Sequence, residues 1–287
     1  MSVRRGTALL ASAFVLLSPL ANAAEPQGDL QAPENRDRRN TPYALPANTW
    51  SFDIGALGIG GGDAFAKLGI AYGFLDGAEV EMNLAHASFG LVNLAGRWHF
   101  LDTPYFDLGA SLGVWYGHGE WFWIVTGPAK ELIRDLDVLY VPIRVAASSP
   151  VSHWLEFDLG LQYSHAEVFG TVTSEDALFL DARLGMRQFE VRPGVRFFLS
   201  DTTELGVMSN LPVYSAIPIE RARASEDGGR NEDFVTVPFS ELWSLEASLR
   251  SRFAEGVFGS VRLHYGEIAR GLYGAPLYPS FDVELRL

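Results

Sequence analysis

Two sets of residues in this 287-residue chain have the types and spacing to do chemistry. The first is a pair, His86 and Ser88, separated by one alanine. An imidazole within reach of a hydroxyl is the base–nucleophile pairing of acyl transfer. Such a base needs a third group to orient it, and no acid or amide is clearly placed to orient His86, so a chance His-x-Ser competes with a hydrolase. The second set is larger: Asp53, Glu79, Glu81, Arg97, Asp107, Arg144, Glu156, Asp158, Arg192, Arg196, Glu204, Arg250, Arg262, Glu284 and Arg286. Carboxylates and guanidiniums so distributed make either a network of ion pairs or a charged constriction that selects ions and small polar solutes. The chain has no G-x-S-x-G, HExxH or P-loop motif. With no cysteine and no EF-hand spacing in the acidic run Glu226, Asp227, Glu232 and Asp233, neither a cofactor nor a metal is expected.

The elements that must position the charges are strands. In Phe281-Asp-Val-Glu-Leu-Arg-Leu287 apolar and charged residues alternate strictly, the mark of a strand with two different faces. The same period marks eleven more segments, at 50–56, 68–74, 80–84, 92–100, 106–116, 139–145, 155–163, 191–199, 205–211, 243–253 and 257–265. Strands of about 9–11 residues span a tilted bilayer crossing. The expected fold is therefore all-β: a transmembrane antiparallel up-and-down barrel of about 12 strands, with 10 or 14 still open, both termini periplasmic, apolar side chains outward and charged ones in the lumen. In that lumen Glu79 and Glu81 stand on strand three, Arg97 on four, Asp107 on five, Arg144 on six and Glu156 with Asp158 on seven. Arg192 and Arg196 follow on eight, Glu204 on nine, Arg250 on ten, Arg262 on eleven, and Glu284 and Arg286 on twelve. Unlike charges on neighbouring strands attract, and Arg286 is expected to close the ring against Asp53. Interior glycines (Gly69, Gly73, Gly109, Gly113, Gly160, Gly194 and Gly206) leave room for long arginines or for a pore. Whether the ring is a plug or a passage stays open.

Arg4 and Arg5, the apolar run Ala8–Leu17 and Ala21-Asn-Ala23 mark residues 1–24 as a signal peptide. Residues 25–48 are rich in proline, asparagine and charge without periodicity, and read as a flexible periplasmic N-terminal segment. The barrel takes residues 49–287. The formal net charge of −13 excludes nucleic acid as an obvious partner. Only Lys67 and Lys130 are lysines, and arginine suits bidentate pairing in a tight space.

Connections alternate in length. Short turns fall at 75–77, 101–104, 148–152, 200–203 and 254–256, and longer loops at 117–138, 166–188, 212–233 and 266–277. Aromatic residues (Tyr72, Phe74, Trp98, Phe100, Phe106, Trp154 and Phe253) gather beside the short turns, as an interfacial girdle requires. Within the loops, 127–136 reads as a short helix, and Trp121–Ile124 as an apolar stretch for the bilayer surface or an entry for hydrophobic substrates. The acidic loop suits contact with lipopolysaccharide through divalent ions.

The run Tyr72-Gly-Phe-Leu-Asp-Gly-Ala-Glu-Val-Glu81 resembles a hairpin common in proteobacterial outer-membrane channel or porin-like barrels. The signal, the alternation and the terminal strand extend that resemblance over the mature chain. It identifies a class and not a substrate, and implies a setting of outer-membrane lipid and lipopolysaccharide and recognition of the C-terminal strand by the barrel-assembly machinery; the charged lumen suits passage or binding of small polar solutes. The chain ends in Leu287, where the class more often ends in Phe or Trp. His86-Ala-Ser88 is similar to the His-x-Ser of outer-membrane phospholipases and lipid A deacylases, although Phe89 stands here where those enzymes carry Asn. A surface-interaction barrel, acting through its loops, is the third reading.

Overall fold

The computed structural model describes residues 37–38, 41–57, 66–121, 135–173, 179–221, 231–236, 243–266 and 277–287. The expected signal peptide, residues 127–134 of the helix expected at 127–136, residues 122–124 of the apolar stretch, and Glu226 and Asp227 of the acidic loop lie outside them. Among the described residues the wall is built from β1 (Thr49–Leu57), β2 (Ala66–Leu75), β3 (Ala78–Asn83), β4 (Leu91–Asp102), β5 (Asp107–His118), β6 (Leu136–Ser152) and β7 (Leu155–Thr173). It continues through β8 (Phe179–Ser200), β9 (Thr203–Arg221), β10 (Asn231–Thr236), β11 (Ser244–Ala254), β12 (Val257–Gly266) and β13 (Leu277–Arg286). Each strand pairs antiparallel with its chain neighbour from β1 to β9. β10 and β11 both pair with β9, at its far and near ends respectively, so they occupy one position in the wall. β13 returns to β1, with Trp50 and Leu287 exchanging N–H···O bonds at 2.9 Å. The result is a closed barrel of 12 strands, which leaves no open edge in the ring.

The outward face is apolar, as the alternation requires. Trp50, Ile54, Val92, Leu94, Trp98, Leu112, Ile143, Val145, Leu249, Val261, Phe281 and Val283 are exposed, whereas the alternate positions carry Asp53, Glu79, Asp107, Glu156, Arg196, Arg250, Arg262 and Glu284, all buried. This is a soluble protein turned inside out, and a closed barrel is one of two backbone designs that satisfy every amide within hydrocarbon. On β7 the apolar series runs from Leu155 to Tyr163 and then turns to His165 and Glu167, which pair at 3.1 Å. Eight residue steps span about 26 Å along a strand. Tyr163, Phe189 and Tyr214 stand in one register row at that boundary. At the opposite end, beside the short turns, Trp154 stacks on Phe197 at 6.2 Å and Trp50 lies 4.5 Å from Tyr72. Two aromatic girdles thus bound the apolar belt.

Three local expectations are corrected. β6 to β9 are 17–22 residues long rather than 9–11; the stretches at 166–173, 179–188 and 212–221 continue the ladder beyond the belt instead of forming loops. On β7 the outward positions beyond Tyr163 turn polar at His165 and Glu167, which hides the strand from a reading that seeks greasy alternate positions. The turn placed at 148–152 lies at 153–154, because Ser148 to Ser152 stay paired with β7. Finally, β3 stops at Asn83. Asn83 caps a short helix, α1 (Leu84–Ser88), its side chain accepting from the Ala85 and His86 amides. An Asn that bonds amides two and three residues on favours this start over a further strand residue.

Candidate functional site

The charged positions face one another across the lumen, but they do not close as a strand-to-strand circuit. In the β1–β13 register Arg286 opposes Ser51, and Asp53 opposes Glu284, two carboxylates that would repel. The conflict is resolved from outside the wall. Residues 37–38 and 41–48, expected as part of a flexible periplasmic segment, turn back into the barrel, where Thr41, Pro42, Tyr43 and Leu45 are buried. Arg38 donates Nη1 to Glu79 Oε2 at 2.7 Å, and both Nε and Nη2 to Glu284 Oε1 at 3.2 and 3.0 Å. It also donates Nη2 to Ser51 Oγ at 2.9 Å and lies 3.9 Å from Asp53. Burial alone lowers the Arg38 pKa, but Glu79, Glu284, Asp53 and Glu81 outweigh it and raise the value above the ordinary arginine range. Its charge is permanent.

The segment has further anchors. The Leu45 amide donates to Glu79 Oε2 at 2.7 Å. The Tyr43 hydroxyl shares its one proton between Asp107 Oδ2 at 2.8 Å and Glu156 Oε1 at 3.2 Å. Asp37 lies 3.7 Å from Arg262, and Arg97 Nη1 donates to the carbonyls of Arg38 and Tyr43 at 2.6 and 3.3 Å. Glycine on the wall makes room for it. A Cβ at Gly73 would stand 2.1 Å from the Pro46 carbonyl oxygen, and one at Gly109 would stand 2.4 Å from that of Pro42.

Around this centre the remaining charges form three groups. Glu284 also accepts from Arg250 at 3.0 Å and from Arg286 at 2.7 Å; the ring of Phe258 lies between those two guanidiniums, 4.0 and 4.5 Å from its centroid. Arg196 bonds Glu156 and, through Nε at 2.7 Å, Asp158, and Asp158 accepts from Ser148. Arg262 holds Asp282 and reaches Glu246 at 3.3 Å. Glu204 faces Arg250 in register, and His99 lies 3.4 Å from Asp107. Arg97 pairs with Glu79 at 3.4 Å and Glu81 at 3.8 Å, while Arg192 turns to Glu190 on its own strand at 2.8 Å. Among the described residues Arg144 forms no ion pair, and it bonds the neutral Gln162. Of the charged positions read from the alternation, Asp53, Glu79, Asp107, Glu156, Asp158, Arg196, Glu204, Arg250, Arg262 and Glu284 are buried; the partners differ from those of strand order where the inserted segment and i, i+2 pairs on single strands compete for them.

Between this plug and the long-loop end lies a cavity of about 310 Å³, lined among others by Asp53, Glu81, Asn83, His86, Asn93, Arg97, Trp115 and Arg144. His86 therefore meets the lumen rather than lipid. Ser88, two positions along a helix where such neighbours do not share a face, donates its hydroxyl to the Ala85 carbonyl at 2.8 Å. Among the described residues no cluster of three or more His, Asp or Glu side chains could hold a metal ion, and no helix is long and apolar enough to cross a membrane.

No protein-family description and no curated protein sequence matches the chain. Solved barrels are similar to it. The toluene transporter TodX of Pseudomonas putida matches with 9% identity over 86% of this chain and 90% of that one, at a TM-score of 0.41. An outer-membrane channel of P. putida F1 matches with 11% identity over 88% and 97%, at 0.44. The outer-membrane protein Omp33 of Acinetobacter baumannii matches with 9% identity over 84% and 98%, at 0.38. At these scores the likeness carries no argument about the lumen, whose chemistry rests on its own residues.

Proposed function

We propose that this chain is a narrow outer-membrane barrel that binds and passes small polar solutes, closed at rest by its own N-terminal segment. The observation that carries the reading is the division of the lumen: a cavity lined by charged and amide side chains above, and below it a plug whose described centre, residues 37–38 and 41–46, belongs to no strand. A wall strand cannot leave without opening the ladder. A segment held by side-chain ion pairs and a few backbone bonds can leave while the barrel stays whole. The short-turn end, where the segment enters, is assigned to the periplasm, and the taller β6–β9 wall to the outside. The terminal strand β13 would be presented to the assembly machinery from that periplasmic side.

Single-channel recording in planar bilayers tests this. Wild type is expected to stay closed for most of the record, and a variant lacking residues 25–45 to conduct steadily. Equal silence from both would leave a structural barrel, the reading favoured by the complete burial of Glu156 and near-complete burial of Glu79. A lipid acyl hydrolase is disfavoured by the geometry of Ser88; Ser88→Ala is expected to leave membrane lipid profiles unchanged.

A further inference from the structure

We propose that the cavity above the plug is a binding site for small organic monoanions with a flat apolar body, the anionic head on Arg144 and the body against Trp115. The proposal rests on the small-solute reading above and names the class of solute. Its starting point is a charge left over. Arg97, Ser111 and Arg144 stand in one register row across β4, β5 and β6, and both arginines line the cavity. Arg97 is committed to Glu79, Glu81 and the Arg38 carbonyl. Arg144 is not committed to any acid. Its Nε and Nη2 both donate to one amide oxygen, Gln162 Oε1, at 3.1 and 2.8 Å. Gln162 is itself oriented, donating Nε2 to Ser164 Oγ at 2.8 Å, so one edge of the guanidinium is held by a neutral clamp. The other edge is left for a ligand. A guanidinium withdrawn from bulk water without a directly bonded carboxylate is unfavourable, and a planar carboxylate is the group its fork matches best.

A second, independent observation supplies the apolar half. Trp115 is inward-facing, and its ring lies where a side chain on Gly113 would be: a Cβ there would stand 2.2 Å from Cζ3 and 2.6 Å from Cη2. Gly113 is two residues from Ser111, so the indole is folded down the wall toward the arginine row. Tyr140 supports it with ring centroids 5.3 Å apart. A cavity of about 310 Å³ is at the small end of the range for ligand sites, and suits a benzoate-sized molecule. The acids Asp53 and Glu81 in the same lining disfavour a dianion, which selects a singly charged head.

Titration calorimetry on the full-length barrel in detergent, with benzoate and its neutral isostere benzamide as probes, tests the assignment. Benzoate is expected to bind at least tenfold tighter than benzamide. Arg144→Met should abolish that preference, and Gly113→Val should weaken both probes by displacing the indole. All variants should retain heat-modifiable mobility. Equal binding of the two probes, or an unchanged preference in Arg144→Met, would overturn the site even if the barrel conducts. Binding with the expected preference in a barrel that never conducts would keep the site and remove the transport reading instead.

Discussion

Arg38→Met asks whether the plug is held by one guanidinium. The side chain keeps its approximate length and loses five polar contacts, to Glu79, Glu284 (twice), Ser51 and Asp53. Removing one partner of a buried ion pair costs about 3–5 kcal/mol, chiefly because the other charge stays buried. The carboxylates left behind are not bare: Glu79 keeps Arg97 and the Leu45 amide, and Glu284 keeps Arg250 and Arg286. The lower end of the range therefore applies, and about 3 kcal/mol shifts the docked-to-undocked ratio roughly 150-fold at 1.4 kcal/mol per decade. The wall ladder is untouched, so the cost falls on the docked segment. The expected result is a rise in open probability of about two decades in single-channel records, with heat-modifiable mobility unchanged. Glu79→Gln, which keeps an oxygen for the Leu45 amide, should give a double variant with Arg38→Met that loses less than the sum of the two singles. An open probability that does not move, or a barrel that melts instead of opening, would refute the argument that Arg38 latches a removable plug.

Three further outcomes follow from the same geometry. Gly109→Val places atoms where the Pro42 carbonyl stands, so it should expel the segment and raise conductance without weakening the barrel, read in bilayers and by gel mobility. Phe258→Leu keeps apolar volume but removes the ring that both Arg250 and Arg286 approach; at about 1–2 kcal/mol for each desolvated cation–π contact, it should lower the temperature of heat modification. Because the Arg38 pKa is raised, its contribution is present below the ordinary arginine range and lost only as pH rises through a still higher value. Plug closure should therefore not loosen between about pH 7 and about pH 10, and alkaline opening within that window would contradict a latch built on a guanidinium.

The wall was legible because lipid imposes one rule at every second residue. Trp50, Ile54, Leu94, Trp98, Val261 and Phe281 had no other reason to alternate with charges, and all are exposed as the period requires. The upper parts of β6 to β9 escaped because beyond Tyr163 the outer solvent is water, so His165 and Glu167 replace the greasy positions while the backbone ladder continues. α1 escaped for a more local reason: strand parity carries through Leu84 to Ser88, and only the Asn83 cap turns the chain into a helix.

The plug was hidden by a different logic. Strand order can pair only neighbours, and it paired Arg286 with Asp53, whereas the observed register puts Glu284 there and leaves an acid facing an acid. That surplus of carboxylates around Glu79, Asp53 and Glu284 is itself a demand for a cation from elsewhere, and Arg38 meets it. A trace of this was present in the chain: Tyr43 and Leu45, flanked by Pro42 and Pro46, are large apolar residues in a stretch otherwise too polar to fold. Gly73 and Gly109 are the matching imprint on the wall, positions where the barrel forgoes a side chain so that another backbone can pass. An arginine with no acid, Arg144, is the converse case. Where Arg38 answers an excess of negative charge with a segment of the same chain, Arg144 presents a guanidinium held by an amide to the open cavity. Among the described residues, an arginine that lines the cavity and is clamped by an amide instead of an acid is the place where a counter-charge from solution would dock.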